Sequence, residues 1–224
     1  MKMQAAIFDM DGTLIDSLMF WDRYWSDFGK TFLNDDNFLP PEDLCKRIRT
    51  MIFTDGVREI RRSLPVSITE DQILDYSAEY LNHFYRTEVK AKEGVIDFLT
   101  HLRTMGISCA LATATDRKFI QVAIDACGLN GFFDHILSCT DIGVGKERPD
   151  IFLLAAERLG APVERSCVFE DSCVALQCAK SAGFLTVGIY DKHNYGHDLL
   201  RAASDLYVDN GETMMSLIPH ISNS

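Results

Sequence analysis

The stretch AAIFDMDGTLIDS, residues 5–17, places two carboxylates, Asp9 and Asp11, at the end of a short apolar run and follows them at once with Gly12. Such a run reads as a buried strand, and a buried strand accommodates adjacent negative charges only where something at its end neutralises them. Alternate residues of an extended chain point to one side, so both carboxylates face the same crevice while Met10 faces away. Gly12 then allows a sharp turn. Alone, Asp-x-Asp-Gly fits a turn or a fragment of a calcium loop equally well, so its meaning depends on the rest of the chain.

Apolar stretches of the same kind recur at 107–113 (ISCALAT), 135–138 (HILS), 167–170 (CVFE), 184–190 (FLTVGIY) and 205–208 (DLYV). Between most of them the apolar spacing is helical. Residues 93–105 place Val95, Ile96, Phe98, Leu99 and Leu102 on one face before a stop at Gly106, and 116–127, 149–159 and 172–182 end near Gly128, Gly160 and Gly183. This alternation predicts an α/β fold, a Rossmann-like, doubly wound parallel sheet with helices on both faces. Residues 18–88 break the pattern. They contain no strand-like run, but Thr69-x-x-Gln72 resembles a capping box, and Ile73, Tyr76, Tyr80, Leu81 and Phe84 follow at helical spacing. The expected organisation is a core from 1–16 and 89–224, with an inserted helical cap domain over 17–88.

The 224 residues, 47% of them hydrophobic, suffice for one core carrying a smaller insertion. A net charge of -11 argues against a nucleic-acid-binding face. Seven cysteines form no Cys-x-x-Cys pair and leave one unpaired under any bridging, so they read as buried small hydrophobes in a reduced compartment. The first ten residues are too short for a signal-peptide core, and no window approaches eighteen uninterrupted apolar residues. A cytoplasmic protein with no membrane partner is expected.

In an open parallel sheet, ligands bind outside the carboxyl ends of the strands. Those ends carry Asp9, Asp11 and Thr13; Thr113, Ala114 and Thr115; Lys146; and Glu170 with Asp171. Meeting in one crevice, they suit a hard divalent cation and a phosphoryl group.

DMDGTLIDS (9–17), ATAT (112–115), GKERPDIF (145–152) and VFEDSCVAL (168–176) resemble, in order and spacing, the four motifs of the haloacid dehalogenase-like hydrolases. The resemblance covers the whole chain and is strongest to the branch of β-phosphoglucomutases and small sugar-phosphate phosphatases, whose helical cap lies between the first two motifs. It implies that Asp9 is a nucleophile forming an aspartyl-phosphate, and that Asp11 is the general acid and then the base. It further implies Mg2+ held by the side chains of Asp9 and Asp171, the backbone carbonyl of Asp11, and Glu170. Thr113, Ala114 and Lys146 would hold the phosphoryl group. Two positions depart from the family's pattern: Glu147 and Arg148 precede Pro149 where proline more often follows the lysine directly, and Ala175 stands where glycine is frequent. Neither removes a catalytic group.

The expected function is a magnesium-dependent phosphatase acting on a small phosphorylated metabolite, a sugar phosphate first among them. A phosphomutase of the same branch is the nearest rival; ATATDR (112–117) lacks the Ser-Lys-Asn continuation typical of the mutase motif. A dehalogenase is disfavoured by the acid at Asp11, and a catalytically silent binding module by the full set of Asp9, Asp11, Thr113, Lys146 and Asp171. The cap chooses the substrate, whose identity and the oligomeric state are not legible.

Four further readings concern the cap and the last loops. Asp16 and Ser17 are expected to cap the first cap helix. Phe20, Trp21, Tyr24, Trp25 and Phe28, at helical spacing, read as cap core. Arg47, Arg49, Arg58, Arg61 and Arg62 read as solvated surface, with one or two available to an anionic substrate. His193 and His197 lack a third ligand and read as a surface loop or helix start.

Overall fold

The computed structural model describes residues 1–49, 51–64 and 67–222. Strand β1 (Ala5–Phe8) has no exposed residue, because it lies between two parallel neighbours and under helices on both faces. Its neighbours are β2 (Ser108–Thr113) and β4 (Ser166–Glu170), with Phe8 opposite Leu111 on one side and Phe169 on the other. With β3 (His135–Ser138), β5 (Leu185–Ile189) and β6 (Leu206–Val208), they form one parallel sheet in the order β3-β2-β1-β4-β5-β6. The chain winds outward from β1 to β3 and then crosses back to β4. The β1/β4 gap is therefore the switch point at which open sheets of this kind bind ligands.

Each face has its own core. On one, Phe8 stacks on Phe169 with ring centroids 4.4 Å apart, and Phe98 of a crossover helix packs edge-on at 5.7 Å from Phe169. On the other, Ile7, Ala110 and Val168 pack with Ile151, Phe152 and Leu176. The expected strands and crossover helices are present, with ends moved by a residue or two where the last turns fray.

Four helices follow β1 before the sheet resumes: α1 (Phe20–Leu33), α2 (Glu42–Ile48), α3 (Phe53–Ser63) and α4 (Glu70–Thr87). They form the cap. The aromatic stripe of α1 meets that of α4, with Phe20–Phe84 at 5.4 Å, Tyr24–Tyr80 at 5.6 Å and Phe28–Tyr76 at 6.1 Å. The capping box forms as expected: Thr69 Oγ1 accepts the Gln72 N–H at 3.2 Å, and Gln72 Oε1 accepts the Thr69 N–H at 2.9 Å. After α4 come α5 (Val95–Thr104), α6 (Arg117–Ala126), the short α7 (Cys139–Ile142), α8 (Asp150–Arg158), α9 (Cys173–Ser181) and α10 (His197–Ala203).

Asp16 and Ser17 do not cap α1. The helix starts at Phe20 after Met19, which makes no side-chain cap bond. The cause lies in the connection between cap and core, where the outgoing and returning chains pair: Ile15 bridges Ala91, the Asp16 N–H donates to the Lys90 carbonyl, and the Lys92 N–H donates to that of Leu14, both at 2.9 Å. This link fixes residues 14–16 before the helix begins and leaves the Ser17 hydroxyl buried without a partner. Among the described residues no helix is long and apolar enough to cross a membrane, and all seven cysteines are free.

Because the Phe8–Phe169–Phe98 stack joins the two strands that present the acids, Phe8→Ala is expected to destabilise the protein by about 3–5 kcal/mol. Urea titration of both proteins measures this, and a loss below about 1 kcal/mol would contradict the assigned packing.

Candidate active site

At the carboxyl end of β1 the Asp9 N–H still donates to the Phe169 carbonyl at 3.0 Å, so Asp9 is fixed by the last bond of the ladder. The chain then turns. Gly12 adopts a left-handed φ of +80°, and a Cβ there would lie 2.4 Å from Asp171 Oδ2. Only glycine satisfies both the turn and the close approach of Asp171. The Leu14 and Ile15 N–H groups close the turn on the Met10 carbonyl at 2.9 and 3.1 Å.

Across the switch point, β4 delivers Glu170 and Asp171. Asp9, Glu170 and Asp171 each offer a carboxylate oxygen, and these oxygens lie within 4.8 Å of one another. All three residues are buried. Lys146, 4% exposed, reaches between them from the loop after α7, with its ammonium donating to Asp9 Oδ1 and, at 2.6 Å, to Glu170 Oε1. Glu170 Oε2 accepts the Ser172 N–H at 2.8 Å, and Ser172 caps α9. Glu147 and Arg148 form the turn that follows Lys146, with Arg148 paired outward to Asp150, so the displaced proline leaves the lysine's reach intact.

Asp171 is held from both sides. Thr13 Oγ1 donates to Oδ1 at 3.0 Å and Asn194 Nδ2 to Oδ2 at 2.5 Å. Asn194 was not anticipated; its signal is its place after the carboxyl end of β5, the same rule that points to the other strand ends. Its loop also docks on the cap: Arg49 donates to the His193 carbonyl at 2.6 Å, the Tyr195 hydroxyl to the Lys46 carbonyl at 3.0 Å, and His193 Nδ1 lies 3.0 Å from Asp22 Oδ2. His197 instead opens α10 with Nε2 3.0 Å from the Asp191 carbonyl, so the two histidines share no site.

Asp11 stands apart from the carboxylate group. Its Oδ1 accepts from the Tyr85 hydroxyl at 2.7 Å and its Oδ2 from the Thr115 hydroxyl at 2.6 Å. Tyr85 belongs to α4, so the cap itself holds this carboxylate. Nothing in the helical pattern of α4 distinguishes Tyr85 from its aromatic neighbours. Thr113, buried at the end of β2, accepts the Thr115 N–H at 3.1 Å through its hydroxyl oxygen. Thr113, Ala114 and Lys146 line one cavity of about 170 Å³ together with Asp9, Asp11, Glu170 and Asp171. Arg49 also lines it, whereas Arg47 and Arg58 pair with surface acids and Arg61 and Arg62 are exposed.

The electrostatics follow from burial. Desolvation pushes the Asp9 carboxyl up to about 7; Lys146 opposes this and the charges of Glu170 and Asp11 add to it. Asp171 is driven well above the usual carboxylate range by burial and then by Glu170 and Asp9. Burial works against the Lys146 ammonium, but the Asp9 and Glu170 charges outweigh it and hold it protonated. Burial and the neighbouring Asp11 charge raise Tyr85, which stays a donor. Three buried carboxylates against one ammonium form a donor set of hard oxygens with an excess of negative charge, which fits a divalent cation of the magnesium type.

Fold and site together define a hydrolase with an aspartate-centred acidic cluster beneath a helical cap. The chain belongs to the haloacid dehalogenase-like hydrolases, whose family model matches residues 3–183. It is 30% identical over 207 residues to a phosphorylated carbohydrates phosphatase of Thermotoga maritima, covering 90% of this chain and 92% of the relative. It is 28% identical over 194 residues to hexitol phosphatase A of Escherichia coli, covering 84% of each. In fold it is similar to the crystal structure of CbbY from Rhodobacter sphaeroides in complex with phosphate, with a TM-score of 0.78 at 23% identity over 93% of this chain and 94% of that one. The family expected from the four motifs is thus the family found.

Acids raised by burial weaken the metal-free fold as they ionise, so stability falls as pH rises from the ordinary aspartate value of 3.8 to about 7 through Asp9, with Asp171 acting in the same direction. A divalent cation relieves that cost only where the acids are ionised. The thermal shift produced by Mg2+ is expected to be larger at pH 8 than at pH 5. Equal shifts in scanning fluorimetry would contradict the buried cluster as the cation site.

Proposed function

We propose that this protein is a magnesium-dependent phosphatase that hydrolyses a small organic phosphate monoester through an aspartyl-phosphate on Asp9. The observation that carries the reading is the convergence of Asp9, Lys146, Glu170 and Asp171 at the switch point with Asp11 beside them. Asp9 Oδ1 is engaged by Lys146, which leaves Oδ2 to attack phosphorus. Lys146 and the Thr113 hydroxyl bind the phosphoryl oxygens, with Ala114 at the same wall. Magnesium, when bound by Asp9, Asp171, Glu170 and the Asp11 carbonyl, supplies the charge that neutralises the phosphoryl group.

Asp11 gives its proton to the leaving oxygen and afterwards takes one from the attacking water. The Tyr85 and Thr115 hydroxyls hold it in place for both steps. As Tyr85 sits on the cap, we infer that closure of residues 17–88 over the core aligns the acid and excludes bulk water together, and that opening releases product. Two relatives bear the names of a phosphorylated carbohydrates phosphatase and a hexitol phosphatase, which makes sugar phosphates the first class to test. Seven free cysteines support a reducing, cytoplasmic setting.

Phosphate release from a panel of monoesters tests the reading. Turnover is expected with Mg2+, none with chelator, and none in Asp9→Asn. Conversion of glucose 1-phosphate to glucose 6-phosphate without release would instead identify the phosphomutase. Tyr85→Phe removes one hydrogen bond to a charged group, about 1.5–3 kcal/mol, so kcat is expected to fall by about 10- to 100-fold with a smaller change in KM. A rise confined to KM, with kcat unchanged, would show that Tyr85 binds substrate without positioning Asp11.

A further inference from the structure

The cavity has two unlike halves. Its floor is the polar set just described, whereas its roof is built by the cap from Phe20, Trp21, Val57, Ile60, Leu81 and Phe84. Among the described residues, polar groups are few in that roof, and Arg49 keeps further N–H donors at its side. The Tyr24 and Ser77 hydroxyls bond each other at 2.7 Å, and Arg49 at the side wall donates to the His193 carbonyl. The Ser17 hydroxyl, buried to 4% exposure and lining the cavity, has no partner.

A leaving group held against such a roof meets aromatic and aliphatic carbon. Among the described residues a polyhydroxylated chain or ring would find the Ser17 hydroxyl and the remaining Arg49 N–H groups at one side but carbon over most of the roof, and each hydroxyl left unpaired is costly. An apolar body loses nothing there and gains from burial. The volume of about 170 Å³ is shared by the polar floor and the space under the roof, so the body that fits beside a phosphoryl group is compact.

We propose that the cap selects a phosphate monoester whose alcohol presents a compact apolar body to the roof, with its polar groups confined to the side of Ser17 and Arg49. This inference rests on the phosphatase reading and replaces the sugar as its leaving group. It places specificity in α1, α3 and α4 rather than in the catalytic loops.

The test compares ligands that share a phosphoryl end. By calorimetry on the magnesium-loaded protein, benzylphosphonate, which cannot be hydrolysed, is expected to bind at least about tenfold more tightly than methylphosphonate, with the added ring buried in the roof. In turnover, benzyl phosphate is expected to exceed glucose 6-phosphate and sorbitol 6-phosphate in kcat/KM by a similar factor; benzyl alcohol and sugar hydroxyls are comparably poor leaving groups, so the ratio reads recognition. Val57→Trp, which fills the roof, is expected to lower kcat/KM for benzyl phosphate more than for methyl phosphate. Equal phosphonate affinities, or a sugar phosphate turned over as well as benzyl phosphate, would overturn the proposal. Absence of turnover for every ester would overturn the phosphatase reading instead, while the phosphonate pair still decides the nature of the roof.

Discussion

Lys146 places one ammonium between Asp9 and Glu170 at the point where the sheet reverses its winding, and the rest of the site is arranged around that contact. Three carboxylates brought this close in a buried crevice repel one another and lose hydration. One lysine offsets part of that cost and leaves the excess negative charge that attracts a cation. The surrounding structure is built to tolerate the conflict: ladder bonds fix β1 and β4, the Ser172 N–H and the Asn194 amide each donate to one carboxylate oxygen, and Gly12 leaves the space that Asp171 enters. Such a cluster is costly for stability and suited to a divalent cation.

The core was legible because its signals are local and redundant. Strands buried on both faces write themselves as unbroken apolar runs, and the glycines after the crossover helices mark their ends. Asp9, Asp11, Lys146 and Asp171 were legible because each immediately follows a strand or lies in the loop after one. Tyr85 was not, since one tyrosine on an aromatic helix carries no mark of the carboxylate it will meet some seventy residues away in sequence. Asn194 was hidden by the histidines around it. Ser17 was misread because the pairing of residues 15–16 with 90–91, a long-range contact, overrides the local capping preference.

Tyr85 and the loop of Asn194 suggest how cap and core act as one device. Both segments join the cap to the acids, the first through Asp11 and the second through Asp171 and the Arg49–His193 contact. Cap and core thus meet at the acids from two directions, and ring contacts join α1 to α4 above them. The two units present unlike surfaces to one cavity: the core contributes the charged groups, and the cap contributes mostly aromatic and aliphatic side chains.

The most direct measurement is to quench the protein with acid during turnover of a phosphate monoester and map the phosphorylated peptide by mass spectrometry. A phosphoryl group on Asp9, present with Mg2+ and absent with chelator, is the expected result. Steady phosphate release with no phosphoryl group on Asp9 at any quench time would contradict the covalent route and the role given to this aspartate.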